Sequence, residues 1–226
     1  MESLSIALQP YKELVGTIAA VVTTGQMFSG CFMCWDIYRD GTTGATPFMA
    51  FLGGLIMGAL NLKYGFMLRD DKMIQVNFLG IALSILYVMV FYRYTPNKTS
   101  VWAQLGGAGA LIAALFMYSE YEDPAVVEGR FGSIITAFMF YLVSAPLLGL
   151  KTIIKNKSTE GLPFPLILSG TVVTFSWLVY GIILNNTIIV LQNVVVFLLC
   201  AFQLSLFVMY PSKPKAKGKA KAKKTD

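Results

Sequence analysis

Apolar runs, each about long enough to cross a bilayer once, alternate with short polar connections along the 226 residues. A spanning helix needs roughly 20 mostly apolar residues. Seven stretches approach that length: Leu14–Tyr38, Pro47–Leu68, Met73–Tyr94, Val101–Tyr118, Phe131–Ile154, Pro163–Leu184 and Ile188–Tyr210. The pattern predicts an all-α membrane protein with seven transmembrane helices. The fourth span, "VWAQLGGAGALIAALFMYSE", is the shortest and the richest in glycine. Glu2, Lys12 and Glu13 precede the first span, and no Ala-x-Ala-like cleavage site follows it. It is expected to be a retained helix rather than a signal peptide.

The spans are not independent. "TTGATPFMAFLGGLIMGALNLKYGFMLRDDKMIQVN" aligns without a gap on "STEGLPFPLILSGTVVTFSWLVYGIILNNTIIVLQN". Pro47 meets Pro163, Tyr64-Gly65 meets Tyr180-Gly181, Asn77 meets Asn193, and Tyr94 meets Tyr210. Each pair is 116 positions apart, as 163 − 47 and 193 − 77 both give. Random apolar sequence shares Leu and Val readily, but not Pro, Tyr-Gly and Asn in one register. Spans 1–3 and 5–7 are therefore read as copies and span 4 as the linker. Three spans is an odd number, so the linker restores the second copy to the orientation of the first. The expected fold is two parallel three-helix bundles joined by a linker helix, 3+1+3, about an axis along the membrane normal. The units are residues 1–13 (N-terminal segment), 14–94 (first copy), 95–130 (linker helix and its loops), 131–210 (second copy) and 211–226 (a Lys-rich tail).

Depth follows from register. Asn61 lies seven residues before Leu68 and Asn77 four after Met73, about 10 and 6 Å below the span ends at 1.5 Å per residue. Trp177 and Asn193 hold comparable positions in the second copy. All four are expected in one layer of the outer half of the membrane. Gln192 points about 100° away from Asn193, has only Val76 as its counterpart, and is expected to be structural.

Basic residues orient the chain. Placing the tail, with Lys213, Lys215, Lys217, Lys219, Lys221, Lys223 and Lys224, in the cytosol also places Arg39, Arg93, Lys98, Lys151, Lys155 and Lys157 there. The other side receives only Lys12, Arg69, Lys72 and Arg130, with the acidic connection "SEYEDPAVVEGR". The N-terminus is then outside or lumenal. Asn97-Lys98-Thr99 and Asn156-Lys157-Ser158 fall on the cytosolic side and Asn185-Asn186-Thr187 hugs the membrane, so no N-glycan is expected. The tail is a candidate contact for anionic lipid.

Composition narrows the function. Hydrophobic residues make up 56% of the chain and charged ones 13%, which leaves no room for a soluble catalytic domain. There is no His, the commonest general base and metal ligand. Cys31 and Cys34, spaced as Cys-x-x-Cys, read as small apolar residues inside a helix rather than a redox or metal pair. No nucleophile–base pair, metal set or phosphate loop appears, so neither an enzyme nor a cofactor is expected. Asp36, near Arg39, is a candidate gate or anchor at the cytosolic end of span 1. Lys63 is expected to snorkel outward. No central carboxylate offers itself as a proton carrier.

The second copy, "SAPLLGLKTIIKNKSTEGLPFP", "SWLVYG", "QN" and "FQLSLFVMY", resembles the SWEET, or saliva-type, sugar transporter family. The likeness spans about residues 14–210. The first copy, "FSGCFMCWDIYRDGTTGATPF", matches more loosely, as animal members do. The resemblance implies bidirectional, uncoupled sugar transport by alternating access. It puts the family's opposed asparagines on Asn77 and Asn193 and its pocket Trp on Trp177. Asn61 stands at the facing position, where relatives often carry Trp or Ser. Three of the family's four hinge prolines fall on Pro47, Pro146 and Pro163; the fourth position holds Gly30. Tyr64 and Tyr180 join these prolines as hinge or gate candidates. Pro47 and Pro163 open spans 2 and 6 at the first-turn position, whereas Pro146 lies inside span 5 and permits a kink.

The chemistry suits a sugar. A carboxamide offers two donors and an acceptor without charge, and an indole offers a flat surface to a C–H face. Asn61 with Trp177 makes a compact pocket, favouring a hexose such as glucose over a disaccharide. The partners expected are sugar, the lipid bilayer and a second copy of the chain, with no nucleic acid. The address expected is the plasma membrane, with the Golgi as alternative. The rival reading is a proton-coupled exporter of the related PQ-loop type, which carries Pro-Gln where this chain has Pro146-Leu147. A seven-helix receptor is disfavoured by the triple-helix duplication.

Overall fold

The computed structural model describes residues 1–44, 46–159 and 162–210, without the side chains of residues 145–149, 151–152 and 156. The Lys-rich tail and the side chain of Pro146 lie outside the described residues. Helix α1 (Glu2–Leu8) and one 3-10 turn lead into α2 (Lys12–Met27) and α3 (Ser29–Asp40). Then come α4 (Met49–Leu68), α5 (Asp71–Tyr94), α6 (Lys98–Tyr121), α7 (Val127–Asn156), α8 (Phe164–Ile183) and α9 (Thr187–Met209). No strand occurs among the described residues. The segment Glu2–Asp40, taken as one, and helices α4, α5, α6, α8 and α9 are each long and apolar enough to cross a membrane. Helix α7 extends over 30 residues.

Side-chain caps begin three of these helices. Asp70 accepts the Met73 N–H at the start of α5, Asn97 that of Ser100 at α6, and Asn186 those of Ile188 and Ile189 at α9. Each satisfies a backbone donor that has no partner inside its own helix. The turns α4–α5 and α8–α9 share one backbone path: Arg69 and Asn185, 116 positions apart, take left-handed φ values of 50° and 52°.

Within each copy the third helix lies between the other two. Helix α5 packs on α2/α3 and on α4; α9 packs on α7 and on α8. The copies meet through α2 on α8 and α4 on α7. The repeat register makes α7 the counterpart of α2 and α8 that of α4, so these are one contact formed twice. Lipid is as apolar as leucine, so close packing must hold such helices together. A Cβ on Gly65 would sit 3.2 Å from the Met73 Cβ, and one on Gly181 2.8 Å from Ile189. Both copies therefore use glycine at the same place to bring their second and third helices together. Leu60, Tyr64, Phe131 and Ile135 form the buried centre, while Phe32, Phe78 and Val208 face outward where lipid would lie.

Three expectations change. The linker α6 is not short: its 24 residues equal α5 and exceed α4 and α8 at 20 each. Asn97 caps it a turn before the apolar run. At the other end Ser119 bonds back to the Phe116 carbonyl at 2.7 Å, and Glu120 pairs with Lys63. Pro47 and Pro163 stand just outside the first turns: α4 begins at Met49 and α8 at Phe164. Their carbonyls, not their rings' place in the helix, take part, accepting from Ala50 at 3.1 Å and Leu166 at 3.0 Å. Span 1 is two helices, interrupted at Phe28, two residues before Gly30.

Candidate substrate cavity and gate

The four candidate contact residues all lie on helices and are all half-buried. Asn77 Nδ2 donates to the Met73 carbonyl at 2.8 Å, and Asn193 Nδ2 to the Ile189 carbonyl at 2.8 Å. Donor and acceptor are four residues apart in both copies. Asn61 Nδ2 donates to the Met57 carbonyl at 2.9 Å. Each bond uses one of a carboxamide's two N–H groups. The other N–H and the amide oxygen have no hydrogen-bond partner among the described residues.

A cavity of about 320 Å³ brings Asn61 and Asn77 together within the first copy, between α2/α3, α4 and α5. It runs along α4 to Ala50 and Phe51, and Met33 and Tyr87 also line it. Trp177 and Asn193 are not among its lining residues. Trp177 belongs to α8 but is held by the other copy: its Nε1–H donates to Thr23 Oγ1 on α2 at 2.8 Å. The Thr23 hydroxyl donates in turn to the Ala19 carbonyl at 2.6 Å. The indole N–H is thereby occupied. What the ring can still offer is its apolar face.

At the end of the bundle carrying the α4–α5 and α8–α9 turns, Tyr64 and Tyr180 are each only 1% exposed. Both reach across to the other copy. The Tyr180 hydroxyl donates to Asp70 Oδ2 at 2.6 Å, and Asp70 Oδ1 meanwhile caps α5. Tyr64 meets Asn186: Asn186 Nδ2 donates to the Tyr64 hydroxyl at 3.0 Å, while Asn186 Oδ1 caps α9. A Cβ on Gly16 would lie 2.8 Å from the Tyr180 ring, and one on Gly132 3.0 Å from the Tyr64 hydroxyl. Gly16 and Gly132, like Asp70 and Asn186, are 116 positions apart. The result is one trio of Gly, Tyr and Asx built twice, each crossing between copies. These bonds tie the two copies together at this end of the bundle.

Sequence reasoning named the tyrosines but missed their partners. Asp70 and Asn186 occupy one register position but differ in residue type, so an alignment read for identities passes over them. Gly16 and Gly132 are identical and in register, yet sit in otherwise dissimilar apolar runs. Gln192 is structural as expected: its Nε2 donates to Thr136 Oγ1 at 2.7 Å, joining α9 to α7. The Lys63 ammonium meets Glu120 on the linker and lies 5.9 Å from the Phe116 ring centroid. Asp36 pairs with Arg39 at 3.3 Å, both well exposed.

The family model described as "Sugar efflux transporter for intercellular exchange" matches twice, over residues 13–99 and 129–215. The two matches start 116 residues apart, the offset of the internal repeat. Sugar transporter SWEET1 of Drosophila pseudoobscura pseudoobscura is 32% identical over 207 residues, covering 89% of this chain and 90% of that protein. Sugar transporter SWEET1 of Caenorhabditis elegans is 29% identical over 202 residues, covering 89% of this chain and 67% of its own. The bidirectional sugar transporter SWEET9 of Arabidopsis thaliana is 26% identical, covering 89% and 80%. The 3.7 Å structure of a eukaryotic SWEET transporter superposes with a TM-score of 0.82 at 21% identity, covering 90% of this chain and 98% of that one. The fold is therefore the two-bundle fold of that transporter, and the chain, a multi-pass membrane protein, belongs to the SWEET family of sugar transporters.

Proposed function

We propose that this chain carries sugar in both directions without coupling to protons. It alternates between a state closed by the two tyrosine trios and one closed at the opposite end. Asn77 and Asn193 grip hydroxyls from opposite sides, Trp177 stacks on the C–H face of the ring, and Asn61 closes the first-copy side. Tyr64 and Tyr180 are the gate at the outer end, with the N-terminus outside and the tail in the cytosol. Pro47, Pro146 and Pro163 mark hinge positions. The cargo is a hexose such as glucose, and the membrane is the plasma membrane.

One observation carries this reading. Asn77 and Asn193 are fixed by equivalent bonds to their own helices, each with an amide oxygen and one N–H unused among the described residues. Prepositioned neutral donors and acceptors can hold many-hydroxyl cargo and still release it. The named activity of the relatives supports sugar as that cargo, and the absence of a central carboxylate among the described residues supports uncoupled movement. The test is radiolabelled glucose flux in proteoliposomes. Asn77→Ala and Asn193→Ala should each abolish most of it, and excess unlabelled sucrose should compete poorly. Unchanged flux in both variants would refute the site. A flux that rises with an imposed pH gradient would replace uniport by proton-coupled export.

A further inference from the structure

The first span carries a break that its sequence does not explain. Helix α2 ends at Met27 and α3 begins at Ser29. The Cys31 N–H donates to the Phe28 carbonyl, three residues back, at 3.0 Å. In a regular helix it would turn four residues back to Met27. A carbonyl left without that partner inside a membrane needs another donor. The Met27 carbonyl has one: the Tyr87 hydroxyl of α5 donates to it at 3.1 Å. The same hydroxyl lies 3.4 Å from Cys31 Sγ.

Only glycine at position 30 lets this happen. A Cβ there would stand 2.4 Å from Tyr87 Cε2 and 2.9 Å from Cδ2. The Tyr87 ring therefore lies against the backbone of Gly30, and its hydroxyl reaches past it to the freed carbonyl. The second copy has Pro146 at the position equivalent to Gly30, and Gln203 in place of Tyr87, both 116 residues on. Proline interrupts a helix by itself, because it lacks an N–H and its ring crowds the carbonyl four residues back. Helix α7 nevertheless runs unbroken from Val127 to Asn156, so the interruption at Phe28 belongs to the first copy alone.

We infer that Tyr87 is a positioning residue for transport: with Gly30 it holds the first span interrupted at Phe28. Tyr87 and Gly30 also line the cavity that contains Asn61 and Asn77. A break beside the cavity lets the Ser29–Asp40 segment move independently of Lys12–Met27, which is docked on the other copy through Thr23 and Gly16. This rests on the sugar-transport reading for its kinetics but not for its structural readout.

The experiment uses the full chain, purified and reconstituted. Tyr87→Phe keeps the ring and removes only the donor. Its expected effect is an about five-fold loss of turnover, the size of one lost hydrogen bond, with little change in half-saturating glucose. The amides of residues 29–31 should exchange with deuterium more slowly, because Met27 recovers its helical partner. Gly30→Ala, which displaces the ring, should do the same. The double variant Gly30→Ala with Tyr87→Phe removes the same bond twice and should add little to the loss of turnover or the slowing of exchange seen in either change alone. Unchanged or faster exchange in Tyr87→Phe would overturn the inference, as would a double variant whose losses are the sum of the two single ones. A wild type that exchanges as described yet moves no glucose would fail the transport reading alone.

Discussion

The two Gly–Tyr–Asx trios share one layout and differ in electrostatics. At one, a carboxylate receives a phenol: Tyr180 to Asp70 at 2.6 Å. At the other, a carboxamide and a phenol meet at 3.0 Å. A hydrogen bond to an ionised acceptor is shorter and roughly twice as strong as a neutral one. The surroundings follow suit. Lys12, Glu13, Arg69, Asp71 and Lys72 surround Asp70, whereas Glu128 is the one charged group among the described residues lining the hollow beside Asn186. Duplication gave both trios one backbone, with left-handed Arg69 and Asn185 in equivalent turns. Sequence divergence then made one of them polar and strong and the other neutral and weak. On the proposed gating role, the Tyr64–Asn186 side should be the first to give.

Removing Asp70 should have the largest effect on that contrast. Asp70→Ala leaves the buried Tyr180 hydroxyl without an acceptor and also uncaps α5. The expected loss is about 3 kcal/mol, combining an unsatisfied buried group with a lost cap. Thermal unfolding of the purified protein measures it. Asn186→Ala removes the equivalent pair of contacts and should cost visibly less. Equal losses would show that the charge contributes nothing.

The repeat made much of this legible before any coordinates. One offset located the copies, aligned Tyr64 with Tyr180 and Asn77 with Asn193, and fixed which helices are equivalent. It worked because identical residues in a fixed register are improbable in apolar sequence. It failed where equivalent residues differ in kind, as Asp70 and Asn186 do. It also could not see contacts that exist only once the copies dock, such as Trp177 on Thr23. The break at Phe28 was hidden for another reason. Hydropathy counts side chains, whereas a break is an exchange of backbone partners, and here the new partner comes from α5, some 60 residues away. The linker's length was misread for a related cause. Ser119 and Glu120 end an apolar window, but their bonds to Phe116 and Lys63 carry the helix on.

The tyrosines permit a closer comparison, because Tyr→Phe removes one hydroxyl and little else. Tyr180→Phe takes the strong donor from a buried carboxylate and should destabilise by about 2 kcal/mol. Tyr64→Phe leaves Asn186 Oδ1 still capping α9 and should cost about 1 kcal/mol. The kinetic signature should differ as well. On the proposed gating role, cysteines placed in the cavity should be labelled faster from the Tyr64–Tyr180 end in Tyr180→Phe, because the stronger of the two bonds is gone. Faster labelling in Tyr64→Phe than in Tyr180→Phe would invert the order of opening.

The smallest effect separates the carboxylate itself from the charges around it. Lys72 lies between Glu13, at 3.1 Å, and Thr17 Oγ1, at 3.2 Å, on the rim of the Asp70 trio. Glu13 is 82% exposed, so water screens this pair. Exposed ion pairs contribute between nothing and about 1 kcal/mol. Lys72→Met keeps the apolar stem that lies on Gly16, 3.0 Å from where its Cβ would be, and deletes only the charge. Stability should fall by less than about 0.5 kcal/mol, and the remaining difference should vanish in high salt. A loss as large as that of Tyr180→Phe would move the strength of this side from one buried hydrogen bond to the rim. The contrast between the trios would then lie in their surface charge rather than in the exchange of Asp for Asn.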